Sequence, residues 1–474
     1  MRRSQLRMAG RISALAAALL LSRPDVAAAH AFPRPYDLPL PLSHYLLGAG
    51  GAVAVSFLAA LGLIRRPMAA RERAVALPAG PTEALLLAVQ VLSVALLGLL
   101  VAAGVFGNQG DWDRNILPVA VWVAWWVGMA FACALAGDLW AVVNPWAAVG
   151  RWAFRRPPPF RLPEAVGVWP GVMLFLVFAW IELVWPSNAV PARLACAILV
   201  YSVLTWGAMA LFGTEDWLRR GEVFALVFGL FARFAPVAGH RDETGRPWLV
   251  LRRYGVGLAA GPLPSVSMTA LVIVVLATVS FDGFAETPAW GRLAGAGIGL
   301  LYQTGFVGAF GYVAAQSLVK TAGLLAAPLV FAALYLAACS LAARLHGSST
   351  GGVARWFVLS LVPIAIGYHL AHYFSYLIVQ GQMILPLASD PFGSGRDIFG
   401  LRDRPLDIDA VDMRLIWIVA VGGIVLGHAA AALLAHGAAL RASMRPAAQM
   451  PLALLMVGYT VLSLWILSQP ITSH

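Results

Sequence analysis

The sequence predicts an all-α, polytopic transmembrane helix bundle, and three observations predict it. Of 474 residues, 60% are hydrophobic and only 12% charged, whereas soluble domains run nearer half apolar and a quarter charged. Mean hydropathy is +0.79, more apolar surface than soluble cores can hide. Apolar runs of spanning length recur from end to end. Together these exclude a soluble multidomain enzyme, a secreted disulfide scaffold and a disordered chain.

The first element is a targeting segment. Arg2, Arg3, Arg7 and Arg11 precede an apolar stretch over 12–21, followed by Pro24 and Ala27-Ala28-Ala29. A basic start, a short apolar run and small residues at a cleavage site make a signal peptide, 1–29. The run is shorter than the ~20 residues a spanning helix needs. Cleavage after Ala29 makes His30 the new N-terminus; cleavage after Ala31 exposes Phe32. The remainder, 30–474, reads as one integral membrane domain.

Runs long enough to span lie at 41–64, 83–106, 115–137, 165–185, 190–212, 265–283, 322–344, 354–380, 415–440 and 449–470,. A cleaved signal leaves the N-terminus outside, in the periplasm of a bacterial inner membrane, so the first inward loop should be basic. It carries Arg65, Arg66, Arg71 and Arg73. The net charge of +11 follows from such arginines in short loops, Lys320 being the only lysine. That pattern points to a lipid bilayer as partner and not to nucleic acid. Cys133, Cys196 and Cys339 sit in separate apolar runs and read as packing residues. Residues 213–260 form the longest inward loop, in which 222–236 lies in the interface or packs under the bundle. The Gly-rich 284–321 reads as an external re-entrant or interfacial piece; as an eleventh span it would leave almost no loop before 322. No P-loop, dinucleotide fingerprint or GxSxG elbow occurs,.

Ionisable groups inside spans cost roughly 2.5–3.5 kcal/mol each on insertion scales, so each needs a reason. The eighth span holds His369 and His372 among Tyr368, Tyr373 and Tyr376. Three residues apart, the two histidines project from nearly one face in the outer half of the membrane. In the ninth span only His428 lies at a depth to meet them; His436 is near the inner end. These imidazoles read either as ligands for a divalent metal (Zn or Cu) or haem, or as hydrogen-bonding groups between helices. His30, as a new N-terminus, and His44 at the outer end of the first span form a second candidate chelating pair for copper. Glu182 and Asp282 place carboxylates on the same outer side. The acidic outer loop 381–414 adds Asp390 and Asp397, read as cation or ligand contacts or as partners of the loop's arginines. Asp138 and Asn144 read as helix-end groups.

The blocks HAFPRPYDLPLPL (30–42), FDGF (281–284), LVPIAIGYHLAHYFSYLIVQGQ (361–382) and LASDPFGSGRDIFG (387–400) together resemble a bacterial family of polytopic membrane proteins that carry the name fenitrothion hydrolase. The resemblance covers roughly 30–440 and implies a membrane-bound, organophosphate-degrading hydrolase. The first block departs from the HAFG or AHG form of relatives by having Pro33 after Phe32.

Three functions are expected from these residues. In the enzyme, a divalent metal held by His369 and His372 polarises a phosphoryl oxygen of a small-molecule ester and acidifies bound water, with Asp390 or Asp282 as ligand or base. In the carrier, the same groups pass a metal ion, proton or small solute, with Pro363 and the 284–321 segment supplying broken backbone. In the redox protein, His372 and His428 bind haem from opposing helices. The family resemblance favours the enzyme.

Overall fold

The structure, a computed structural model, describes residues 40–66, 72–110, 112–407 and 410–472. The signal peptide and His30 lie outside the described residues. Among those described, ten helices are long and apolar enough to cross a membrane, and the all-α bundle expected from composition is what the chain forms.

The helices used below are α1 (Leu42–Leu63), α2 (Ala79–Phe106), α3 (Ile116–Ala136), α4 (Pro145–Ala153), α5 (Trp169–Leu183), α6 (Pro191–Phe212), α7 (Val223–Ala232), α8 (Val266–Ala285), α9 (Pro288–Gln303), α10 (Tyr312–His346), α11 (Val362–Gln380), α12 (Met413–Arg441) and α13 (Pro446–Thr472). Their starts are chemically marked. The side chains of Asn115, Ser265 and Asp412 accept hydrogen bonds from Leu117 N, Met268 N and Arg414 N, each satisfying an amide left without a partner at a helix start.

Two features depart from the sequence-based expectation, and another decides between alternatives it left open. Strands β1 (Arg73–Ala76), β2 (Val237–Arg241) and β3 (Pro247–Leu251) form an antiparallel sheet in the order β1-β3-β2. It joins the loop after α1 to the 213–260 loop, and marks one end of the bundle, here the sheet face. The segment 222–236 holds α7, whose residues are mostly buried; of the two expected placements it takes the packed one. Third, α10 begins at Tyr312, ten residues before the expected start of the seventh span. The helix ahead of it, α9, has 16 residues and none buried; it is too short to span and lies with Gly297 against Val319 of α10.

Two local devices position the interior. In α3 the backbone from Ala120 to Gly128 is a π-helix, a wide turn found mostly as short insertions in α-helices and frequent at functional sites. It carries Trp122, Trp125 and Trp126. Between α11 and α12, Gly367 meets Gly423 and Gly427, so closely that a Cβ on Gly367 would strike the Gly423 carbonyl oxygen. Small residues four apart let membrane helices approach to backbone contact. That crossing fixes the rotation of α11 and turns His369, His372 and Tyr373 towards the core, where all three are buried.

Candidate functional site

At the end of the bundle opposite the sheet, called here the loop face, α5, α8 and α11 bring together four of the polar groups singled out from sequence. Asp282 on α8 is 3% exposed. Its Oδ2 lies 2.9 Å from His372 Nε2 and accepts the Tyr373 hydroxyl at 2.6 Å. The same hydroxyl is 3.5 Å from Glu182 Oε1, at the limit of hydrogen bonding. The His372 and Tyr373 ring centroids are 4.6 Å apart, and His369 lies on the other side at 4.7 Å from Tyr373. Tyr373 is thus the hinge of the cluster, touching both histidines and both carboxylates.

Two cavities adjoin it. The larger, 500 Å³, is lined by Glu182, Asp282, Glu286, Lys320, Tyr373 and Tyr376, with Trp126 and Trp290 as apolar wall. A small neighbouring pocket of 20 Å³ shares Trp126, Glu182, Asp282 and Tyr373, and adds His369. That volume suits one water molecule. His369 Nε2 is buried with no hydrogen-bond partner among the described residues, while the Val127 carbonyl, in the π turn, lies against the ring. Its edges pack on Trp126 and Phe131, at centroid distances of 5.8 and 5.2 Å.

The other expected site residues fall elsewhere. Asp390 lines neither cavity. Its carboxylate accepts from Ser394 N at 2.9 Å, Ser394 Oγ at 3.2 Å and Gly395 N at 2.7 Å, so it organises its own loop. Asp397 does likewise with Ser389 Oγ and the amides of Leu401 and Arg402. The loop acids therefore bind backbone and hydroxyl groups more than the arginines expected as partners. His428 packs on Tyr459 at 5.5 Å and bonds the Ile424 carbonyl at 2.8 Å, so the pair considered for haem contacts different neighbours. His436 is satisfied on both nitrogens, by Gln449 Oε1 and the Ile64 carbonyl, each at 2.9 Å. His44 is exposed in the first turn of α1. Among the described residues no three His, Cys, Asp or Glu side chains gather to hold a metal ion. The donor set around Asp282 does not fit the expected divalent-metal centre.

Lys320 and Glu286 were not picked out from sequence as site residues, though the first is the chain's only lysine and the second follows Asp282 by one helical turn. Trp126 needed knowledge of the π turn. No protein-family model, curated protein or solved structure matches this chain.

Proposed function

We propose that this membrane protein is a hydrolase of small neutral esters, working without a protein-bound metal in the loop-face cavity. The arginines of the opposite, sheet-face loops support a periplasmic position for that face,. One observation carries the reading: a water-sized pocket flanked by Glu182, Asp282 and the unpartnered Nε2 of His369, next to a cavity of ligand size. A proton on Nδ1 directed at Val127 leaves Nε2 as the basic nitrogen. Water held there loses a proton to Nε2 as its oxygen bonds to the ester centre. The bond to the leaving oxygen breaks and that oxygen takes the one proton that Glu182 and Asp282 share at rest; His369 then passes the proton it took from water to the pair, which restores the starting state. Lys320 supplies positive charge for the oxyanion that develops. His372 and Tyr373 are positioning residues that orient Asp282.

Charge supports the substrate class. Three acids, two of them sharing a proton, still outweigh one lysine and repel anions,, whereas a phosphotriester or carboxylic ester is neutral. A phosphotriester is also what the resemblance to fenitrothion hydrolases suggests. The test is turnover of a neutral p-nitrophenyl phosphotriester and a p-nitrophenyl carboxylic ester by detergent-purified protein. Asp282→Asn is expected to lower kcat by about 10²–10⁴-fold with the elution profile unchanged. Equal rates in wild type and Asp282→Asn, or no turnover of either ester, would overturn the reading.

A carrier is the second reading, because buried polar groups continue from Asp282 towards the sheet face through the Ser280–Tyr459 pair and His428. Uptake into proteoliposomes that Asp282→Asn abolishes, without ester cleavage, would select it.

A further inference from the structure

A second large cavity lies behind α2. Its volume is 860 Å³, with walls from α2, the π turn of α3, α5, α6 and the start of α7. Trp122 and Trp185 line both this chamber and the polar cavity, so the two are neighbours with opposite chemistry. The chamber is aliphatic and aromatic almost throughout. Several of its few polar atoms are already engaged: Trp122 Nε1 donates to the Asn188 carbonyl at 3.0 Å, Trp146 Nε1 to Ser202 Oγ at 2.8 Å, and Tyr201 to Glu222 at 2.5 Å.

Two occupants can be set aside on physical grounds. Water needs two to four polar partners per molecule, and this wall offers too few. A dry void of that size forfeits dispersion contacts on every side, at a cost that grows with volume beyond what ordinary folds tolerate. What remains is hydrocarbon. The route in is visible: Leu96 on α2, Val177 on α5 and Val200 and Leu204 on α6 line the chamber and are also exposed on the bundle's outside. The most apolar stretch of α2 has 0% of its residues buried. This helix packs on the start of α6, where Gly104 meets Ala195 and Pro191, while its apolar stretch stays open to the lipid around it.

We propose that the chamber is a lipid-chain binding site that takes up one acyl chain of a bilayer phospholipid. The chain enters sideways between α2 and α6 and lies against Trp122, Trp125 and Phe178. Arg193, a buried chamber residue at the loop-face start of α6 that donates to Ser187 Oγ, puts positive charge at the end of the chamber where an anionic head group would lie. This inference is independent of the hydrolase reading.

The experiment is native mass spectrometry of full-length protein transferred to a delipidating detergent, with lipid analysis of what stays bound. Wild type is expected to retain one phospholipid per protein. Ala124→Phe on α3 and Ala197→Phe on α6 each fill the chamber from a different wall, and each should lower retention at least several-fold. Leu329→Phe, on the exposed face of α10, controls for lipid held on the outer surface and should retain lipid as wild type does. Two plugs on separate helices guard against one failing to fold, judged by elution profile and helicity. Equal retention in wild type and folded plug variants would overturn the proposal. So would a wild type carrying only detergent, or one carrying an isoprenoid instead of an acyl lipid.

Discussion

Asp282 and Glu222 are both buried acids, and the difference between their surroundings separates a site from a strut. Glu222, at 0% exposure, caps α7 by accepting from Phe224 N at 3.2 Å and Ala225 N at 2.7 Å. It also accepts from Trp140 Nε1 at 3.3 Å, Asn144 Nδ2 at 3.0 Å and Tyr201 at 2.5 Å. Those donors come from three separate stretches of chain, so one carboxylate ties together the short helix Leu139–Val143, the start of α4, α6 and α7. Asp282 contacts His372 and Tyr373 of α11 and also lines a cavity of ligand size. Burial alone does not mark function. A buried acid with room beside it and a basic nitrogen across that room is what the proposed hydrolase rests on.

The comparison breaks most readily by mutation of the two acids in turn. Asp282→Asn keeps the size and hydrogen-bonding capacity of the side chain, so the fold should stand while the ester turnover described above falls by about 10²–10⁴-fold. Glu222→Ala should do the reverse. Removing it leaves buried donors on Trp140, Asn144 and Tyr201 without an acceptor, at about 1–3 kcal/mol each, and uncaps α7. A loss of about 3–5 kcal/mol is expected, read as a large drop in thermal or denaturant midpoint, with activity per folded molecule unchanged. If instead Glu222→Ala unfolds at the wild-type midpoint, the strut assignment is wrong. A smaller effect sharpens the role of α11. Gly427→Val pushes methyl groups into Pro363 and Gly367 and should destabilise by about 1–3 kcal/mol. Because that crossing sets the rotation of α11, ester turnover should fall along with the midpoint, whereas Glu222→Ala leaves turnover per folded molecule alone.

The spans were legible because an excess of apolar residues with arginines between them has few other physical solutions, and the boundaries mostly hold to a few residues. Four members of the polar cluster were legible for the complementary reason: Glu182, Asp282, His369 and His372 interrupt apolar runs where charge is expensive. Their grouping was legible only in outline, with Asp390 as good a partner for the histidines as Asp282. It depends on the Gly367–Gly423 contact, and on a π turn that no pattern of apolar spacing announces. The metal expectation failed at the same step, since two histidines on one helix face can each turn to a different neighbour. The sheet was missed because β1 is four residues beside a basic loop. Its hairpin had a signal in Asp242, whose carboxylate accepts from Thr244 N and Arg246 N, each at 3.0 Å, with Gly245 at φ +81°,. Asp390 was misassigned because its sequence neighbours were weighed as charges. The glycines at 393 and 395, both at positive φ, are what fold the loop back onto that carboxylate.

A third acid extends the comparison to the exposed end of the scale. Asp397, in the loop between α11 and α12, is held below the usual carboxylate range chiefly by the Ser389 hydroxyl, with the amides of Arg402, Leu401 and Gly400 adding to it. Because the folded value is depressed, the anchoring it contributes is fully present above the ordinary Asp range near ~4 and is lost as pH falls through the lowered folded value. Asp390 and the glycine turns hold the rest of the loop, and the group is exposed, so the consequence should be local. Amide exchange at Leu401 and Arg402 should accelerate on acidification, while the α11–α12 crossing stays protected. Asp397→Asn should give the same acceleration at neutral pH with the unfolding midpoint unmoved. Were acid or the substitution to lower the midpoint of the whole bundle, Asp397 would belong with Glu222 as a strut, and exposure would have been a poor guide to which acids carry the fold.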